Sequence, residues 1–353
     1  MAVALGRGRV GGDDAGWQGV DELREGFHPA IVARPGQPDG GARRRGSTAP
    51  GTGCHARRVS ETIEEATQGP SEHEREKARV AGIFDRASAT YDQVGVDFFA
   101  TVAAELVRRT DPRPGEAVLE LGSGRGASAL PAAHAVGPTG HVLATDLAPG
   151  MLTALDALAA DLPWLEVRAG DAECPPPGPW DVVQAGLVLF FLPDLHGTFD
   201  RVREVLRPAG RFGFTWFGDS DDSWDEVTDR LQALAPASPT TAPGVEDDED
   251  GEDDRPGPFS SVEAMHAVLL DHGFTAPTTS TVRIRVDYAD VEQWWAWIWS
   301  AGLRALLERL ESRGLLDRAR SDVDPELRRR AADGTLTWWT DIRCTVATRP
   351  AGS

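Results

Sequence analysis

The stretch "AVLELGSGRGASAL" (residues 117–130) sets three glycines at alternate positions behind a short apolar segment. The apolar segment predicts a buried strand, and the small residues after the glycines predict the start of a helix. Because glycine lacks a Cβ atom, its backbone can turn sharply and a ligand can approach it closely. The stretch therefore predicts a strand–turn–helix unit whose turn contacts a cofactor.

Two classes of cofactor fit the turn "GSGRGA" (residues 122–127). Gly122, Gly124 and Ala127 match the dinucleotide-binding fingerprint G-x-G-x-x-[GA]. Gly122, Gly124 and Gly126 match the G-x-G-x-G turn of class I S-adenosylmethionine-dependent methyltransferases. The turn alone leaves both cofactors open.

Three carboxylates at predicted strand ends help to separate the two cofactors. Glu120 lies two residues before Gly122, where an anion favours a bound α-ammonium group but gives a pyrophosphate no benefit. Asp146 lies 24 residues after Gly122, where a carboxylate can bind both ribose hydroxyls of either cofactor. Asp171, followed by the small Ala172, is suited to an adenine amino group. Together the three positions favour S-adenosylmethionine.

Predicted strands and helices alternate through the middle of the chain. The strand segments there are "AVLEL", "HVLAT", "LEVRA", "WDVVQAGLVLF" and "RFGFTWF". This alternation predicts βαβ units and a parallel sheet with both faces covered. Further on, "VEQWWAWIWSAGLRALLERLESRG" (residues 291–314) predicts one long amphipathic helix. We predict an α/β fold: a Rossmann-like, doubly wound, mostly parallel seven-stranded sheet with helices on both faces and a helical cap.

Residues 72–217 resemble class I methyltransferases in the order and spacing of their motifs. The segments that carry the resemblance are "VLELGSGRG", "VLATDLAPGML", "VRAGDAECPPPGPWDVVQAGLVLFFLPD" and "REVLRPAGRFGFTWF". They are similar to the branch that contains the quinone-biosynthesis C-methyltransferases and many actinobacterial small-molecule methyltransferases. The upstream "IFDRASATYD" also resembles the Phe-Asp and Tyr-Asp segment that precedes the core in that branch.

The resemblance implies a set of S-adenosylmethionine contacts. Glu120 and the turn would line the amino acid part, Asp146 would take the ribose hydroxyls, and Asp171 would hold the adenine edge. The full implied set is Tyr91, Glu120, Gly122, Ser123, Gly124, Gly126, Asp146, Leu147, Met151, Asp171, Ala172, Gln184 and Gly186. One segment departs from the pattern: relatives often carry an aromatic or histidine pair after strand four, whereas this chain has "LVLFFLPD".

The acceptor and any catalytic residue are less well defined. A methyl group on a sulfonium is already activated, so in-line attack by an acceptor O, N or C needs mainly alignment and exclusion of water. His196 and Tyr91 are the candidate catalytic residues, since a base helps only an acceptor that loses a proton early. Phe190, Trp216, Trp295 and Trp299 are the candidate acceptor-pocket residues, and they favour a small apolar or aromatic acceptor.

Composition restricts the class of protein and its partners. The 353 residues carry a formal net charge of −20, which argues against a nucleic-acid binder. The sequence holds no apolar run of membrane-spanning length, so we expect no membrane span. Cys54, Cys174 and Cys344 are widely spaced and suggest neither a disulfide framework nor a metal site. We expect a cytoplasmic protein without a bound metal, and the oligomeric state stays open.

Composition shifts along the chain predict its organisation. The expected parts are a disordered Gly/Arg/Pro-rich tail (1–70), an N-terminal helical lid (71–110), a cofactor-binding core (111–235), an acidic disordered loop (236–258), and a C-terminal part of the core (259–353) with a cap at about 288–335. Two alternative functions remain at this stage. One is a non-catalytic S-adenosylmethionine-binding regulator, and the other is an NAD(P)-dependent oxidoreductase, which would leave Glu120 without a purpose.

Overall fold

The computed structural model describes residues 71–235, 257–301 and 303–352. The predicted tail (1–70) and nearly all of the predicted acidic loop lie outside these residues. No helix in the described ranges is long and apolar enough to cross a membrane.

Seven strands form one sheet in the order β3-β2-β1-β4-β5-β7-β6. The strands are β1 (Ala117–Leu121), β2 (His141–Asp146), β3 (Leu165–Ala169), β4 (Trp180–Gly186), β5 (Leu206–Ser220), β6 (Thr275–Asp287) and β7 (Thr337–Thr348). Strands β1 to β5 pair in parallel, and β7 runs antiparallel to both β5 and β6. The prediction of a mostly parallel, seven-stranded, doubly wound sheet is confirmed. Strand order reverses between β1 and β4, which is where such sheets bind ligands.

Ten α-helices accompany the sheet in the described residues. They are α1 (Glu72–Ala87), α2 (Phe99–Thr110), α3 (Ala129–Val136), α4 (Pro149–Leu158), α5 (Leu195–Val205), α6 (Asp225–Leu234), α7 (Val262–Asp271), α8 (Val291–Ser300), α9 (Arg304–Ser312) and α10 (Leu316–Ala332). Ser71 and Glu74 are three residues apart, the spacing of a capping box, and both of its hydrogen bonds form at the start of α1: Ser71 Oγ accepts the Glu74 N–H, and Glu74 Oε2 accepts the Ser71 N–H.

Alternation along the parallel strands divides the core between the two faces of the sheet. On one face, Val118 and Val182 pack against α3 and α4. On the opposite face, Leu119 and Val183 pack against α5 and α7. A separate apolar cluster joins α8, α9 and α10 to α6. The sheet therefore presents a rigid edge at the carboxyl ends of β1 to β4.

Two predicted elements end earlier than the sequence suggested. The prediction of a single helix over 291–314 is wrong, because α8 ends at Ser300 and Ala301 is extended, with φ −129° and ψ −154°. A glycine follows Ala301 in the sequence, and glycine is a poor helix former. Strand β4 likewise stops at Gly186, because Leu187 turns into the left-handed region with φ +52°.

Candidate active site

A cavity lies at the carboxyl ends of the parallel strands, under helix α1. Most of the predicted cofactor residues line it: Tyr91, Gly122, Gly124, Asp146, Leu147, Met151, Asp171, Ala172 and Gly186. They come from the glycine turn and from the segments that follow β2, β3 and β4. The topology thus brings together residues that are up to 95 positions apart in the chain, from Tyr91 to Gly186.

The turn glycines differ in the space that a side chain would have at each position. All have positive φ, at +64° for Gly122, +50° for Gly124 and +89° for Gly126. A Cβ atom on Gly126 would come within 2.3 Å of Leu155, so this glycine permits close packing of the turn on α4. A Cβ on Gly124 would meet nothing within 4 Å, although Gly124 lines the cavity. Gly124 therefore presents bare backbone to a ligand.

Asp146, the last residue of β2, is hydrogen-bonded to the glycine turn. Its Oδ2 accepts the Gly124 N–H and its Oδ1 accepts the Ala148 N–H, both at 2.8 Å. Burial raises the pKa of Asp146, although the two N–H donors favour its charged form. Each carboxylate oxygen has a second lone pair, so Asp146 can still accept hydrogen bonds from a ligand in the cavity that it lines.

Glu120 is fully buried on β1, behind the cavity wall. Its Oε1 accepts a 2.5 Å hydrogen bond from Ser128 Oγ, whereas its Oε2 is buried with no hydrogen-bond partner. Burial raises the pKa of Glu120 to about 8. Glu120 does not itself line the cavity, but Gly186 does, and a Cβ built at Gly186 would lie 3.9 Å from Glu120 Oε1.

Gln184 neighbours Glu120 across the sheet, since the two residues are paired in register. It is fully buried, and its Nε2 donates a short hydrogen bond to Thr110 Oγ1 on α2. Its Oε1, like Glu120 Oε2, has no partner. Buried polar atoms are nearly always hydrogen-bonded in folded proteins. Two unpartnered acceptors on neighbouring strands therefore indicate a site for a donor-rich cationic group.

Asp171, which we predicted to hold the adenine edge, already has two donors within the protein. Its Oδ1 accepts the Glu173 N–H at 2.9 Å and its Oδ2 accepts Lys77 Nζ at 2.7 Å. Sequence reasoning did not single out Lys77. The structure brings it from α1 to the cavity wall. The signal was the helical spacing of Lys77, Val80, Ala81 and Phe84, which all line the cavity and share one face of α1.

Aromatic rings form part of the cavity lining. The Tyr91 ring stacks on Phe99 with centroids 4.4 Å apart, and Phe84 contacts Tyr91 and Phe191 edge-on. Burial raises the pKa of the Tyr91 hydroxyl. Leu187, forced to positive φ after Gly186, is held by its N–H on Thr215 Oγ1 at 3.0 Å and also lines the cavity.

Several predicted residues lie away from this cavity. His196 is exposed on α5 and its Nδ1 lies 2.9 Å from His272 Nε2. Trp216 is fully buried and donates to Thr345 Oγ1. Trp295 is buried in the cap. None of them lines the cavity, because each packs against another part of the fold.

Other predicted residues also do not line the cavity. Phe190 packs behind a lining ring, with its centroid 4.5 Å from that of Phe191. Trp299 is half-buried against the cap, under the Arg304 guanidinium. Ser123 and Gly126 belong to the turn but do not line the cavity.

Comparison with known proteins agrees with this geometry. The family described as "Methyltransferase domain" matches residues 118–210. The chain is 35% identical over 281 residues to nocamycin O-methyltransferase of Saccharothrix syringae, covering 76% of this chain and 99% of that protein. It is 39% identical over 143 residues to aklanonic acid methyltransferase DauC of Streptomyces sp. (strain C5), covering 39% of this chain and 65% of that protein.

A solved structure is also similar to this chain. It is the phosphoethanolamine N-methyltransferase 2 of Haemonchus contortus in complex with S-adenosyl-L-methionine, 18% identical, with a TM-score of 0.44 over 75% of this chain and 57% of that one.

The chain belongs to the class I S-adenosylmethionine-dependent methyltransferases, as the family match and the full-length relative show. Its cofactor is S-adenosyl-L-methionine. The site suits this cofactor on two observations: the unpartnered Glu120 Oε2 matches an ammonium donor, and the open cradle at Gly124 admits a ligand against backbone. Nothing in the site favours the oxidoreductase or the non-catalytic alternative.

Proposed function

We propose that the cavity under α1 is the cofactor site, with Glu120 at the amino acid end, Asp146 at the ribose and Asp171 with Ala172 at the adenine. The unpartnered Oε2 of Glu120 supports the first assignment. The cavity-lining positions of Asp146, Asp171 and Ala172 support the others. Gly122, Gly124 and Gly186 then supply backbone between these points.

We infer that the acceptor is a small apolar or aromatic molecule. The observation that carries this inference is the aromatic end of the cavity, where Phe84, Tyr91 and Phe191 contact one another and Leu187 adds aliphatic surface. Flat apolar molecules bind such walls through burial of area and ring contacts. Both relatives act on small molecules by their names, and the first is an O-methyltransferase, which favours oxygen as the methylated atom.

The protein's own contribution to methyl transfer is alignment and exclusion of water. The bound cofactor supplies a methyl group on a positively charged sulfur. Leu187 and Phe191 shield the reacting end of the cavity from solvent, and the fixed backbone at Gly186 and Leu187 orients the acceptor. Burial holds Tyr91 in its neutral form at neutral pH, so we assign it to packing and hydrogen bonding. We therefore expect acceptors whose hydroxyl ionises near neutral pH to react fastest.

The experiment is a competition among acceptors of matched size. The purified protein is incubated with isotopically methyl-labelled S-adenosylmethionine and one of three aromatic acceptors that carry an acidic phenol or enol, a carboxylate, or a primary amine. Mass spectrometry then locates the methyl group. Faster labelling of the acidic hydroxyl than of the amine supports the proposal. Preferred labelling of the amine contradicts it.

A matched pair of variants tests where the acceptor binds. Phe191→Ala opens the aromatic wall and is expected to raise the acceptor KM about tenfold. Phe190→Ala removes the ring behind it, which does not line the cavity, and is expected to change the acceptor KM less. Equal effects of the two substitutions would contradict the assignment of the aromatic wall.

A further inference from the structure

Lys77 is the only lysine in the chain, and it joins helix α1 to the far side of the cavity. Its Nζ lies 2.7 Å from Asp171 Oδ2 and 2.9 Å from Glu173 Oε2. The lysine side chain is 19% exposed, and the Glu173 side chain 7%. Ion pairs that are shielded in this way interact more strongly than exposed ones, because less water screens them.

The two carboxylates that receive Lys77 are fixed by the main chain. Glu173 Oε1 accepts the N–H of Asp194 at 2.6 Å, and Asp194 in turn caps α5. Asp171 Oδ1 accepts the Glu173 N–H at 2.9 Å. The ion pairs of Lys77 therefore connect α1 to a rigid anchor on the sheet edge and on α5.

The C-terminal half of α1 has separate anchors. Asp85 Oδ1 accepts the Gly150 N–H at 2.6 Å, and the Ser88 carbonyl accepts Arg125 Nη1 at 2.6 Å. A Cβ on Gly150 would come within 2.3 Å of Ser88 Oγ, so the contact is close-packed. Lys77 lies about two turns away, in the N-terminal half of the helix. Breaking its ion pairs would release one half of α1 while the other half stays attached.

The face of α1 between these anchors forms a wall of the cofactor cavity. Val80, Ala81 and Phe84 line the cavity together with Lys77. A ligand that leaves on this side must displace the wall. We propose that Lys77 is a positioning residue that latches α1 over the cofactor, and that the cofactor and its product exchange only when this latch opens. The proposal rests on the proposed cofactor site.

The latch has a kinetic signature that separates it from a binding contact. Both ion-pair partners of Lys77 belong to the protein, so the ion pairs need no ligand to form. A contact that is equally strong in the bound and unbound enzyme changes opening rates without changing affinity. Loss of the latch therefore speeds association and dissociation by similar factors. Loss of a direct cofactor contact speeds dissociation alone.

The test measures S-adenosylhomocysteine binding kinetics on a biosensor. The full chain is captured through a tag, because coupling through amines would modify Lys77. Lys77→Met is expected to raise the association and dissociation rates about tenfold each, with Kd within about threefold of the wild type. Glu173→Gln, which removes one ion pair and leaves Asp171 charged, is expected to raise both rates about threefold. Lys77→Arg, which can form the same ion pairs, is expected to restore rates within about twofold.

Arg86→Met is the matched control. Arg86 lies on the same helix and also makes a cross-helix ion pair, with Glu308 at 2.7 Å, but it does not line the cavity. The association and dissociation rates of Arg86→Met are expected to stay within about twofold of wild type. Unchanged rates in both Lys77→Met and Glu173→Gln overturn the latch, as does a rise in dissociation alone. Failure of the wild type to bind S-adenosylhomocysteine overturns the proposed cofactor site, and the latch with it.

Discussion

Two buried carboxyl groups in this molecule have opposite surroundings. Asp324, on cap helix α10, accepts Trp295 Nε1 at 2.8 Å on one oxygen and Arg328 Nη2 at 2.9 Å on the other. Glu120, on strand β1, has a donor on Oε1 and none on Oε2. A buried carboxyl that is fully paired within the protein stabilises the fold. One that keeps a free oxygen beside a cavity is suited to a ligand.

The same difference separates the two regions that carry these groups. The cap holds its tryptophans in an apolar cluster, where the Trp294 ring stacks on Trp224 with centroids 5.7 Å apart. Arg320 covers the outer face of Trp295 at 4.9 Å. The carboxyl ends of the parallel strands instead carry polar atoms without a hydrogen-bond partner, Glu120 Oε2 and Gln184 Oε1, and the uncovered backbone of Gly124. The cap therefore contributes to stability, whereas the carboxyl ends of the parallel strands are suited to binding. The predictions below test this difference.

The largest expected effect is on the stability of the cap. Trp295→Ala removes a ring that is 1% exposed and leaves Asp324 with one donor fewer. We expect a loss of roughly 3–5 kcal/mol in the free energy of unfolding, measured by denaturant titration. The affinity of the remaining folded protein for S-adenosylhomocysteine should be unchanged. A selective loss of affinity would place Trp295 in the site.

A second prediction concerns pH and Glu120. Burial raises the pKa of Glu120 to about 8 in the folded protein, so the native state keeps a proton that the unfolded state loses near pH 4.5. Stability then falls as pH rises between these values, by up to about 1.4 kcal/mol per pH unit. Glu120→Gln has no such proton and should flatten the slope. Equal slopes in the ligand-free wild type and variant, from thermal unfolding between pH 5 and 8, would contradict a buried neutral Glu120.

The smallest expected effect belongs to His196. This side chain is exposed, and it contacts His272, which pairs with Asp200 at 2.9 Å. His196→Ala should leave kcat and the KM for S-adenosylmethionine within about twofold of wild type, because the imidazole does not line the cavity. A drop in kcat of tenfold or more, with a lost pH dependence, would return His196 to the role of base.

The sheet and the glycine turn were predictable because their signals are local. Apolar strand segments, the capping box at Ser71 and the alternating glycines each depend on residues within a few positions of one another. The position of Lys77 was not predictable in this way. Its partner Asp171 is 94 residues away, and only the docking of α1 on the sheet edge brings them together.

The surroundings of the cap tryptophans were not predictable for a related reason. A run of large aromatic side chains predicts burial equally well in a core and in a ligand pocket. Which of the two applies depends on the partners: Trp295 finds Asp324, 29 residues away, and the cap cluster encloses it. The break between α8 and α9 turns these rings inward, and the amphipathic pattern did not reveal that break.

The most direct test of this difference compares Glu120→Gln with Asp324→Asn by calorimetric titration of S-adenosylhomocysteine. Each substitution replaces one buried carboxyl with an amide of similar size. We predict that Glu120→Gln weakens binding about 100-fold, equivalent to roughly 2.7 kcal/mol, while Asp324→Asn leaves Kd within about twofold. Equal Kd values for Glu120→Gln and the wild type would contradict the assignment of Glu120 to the cofactor.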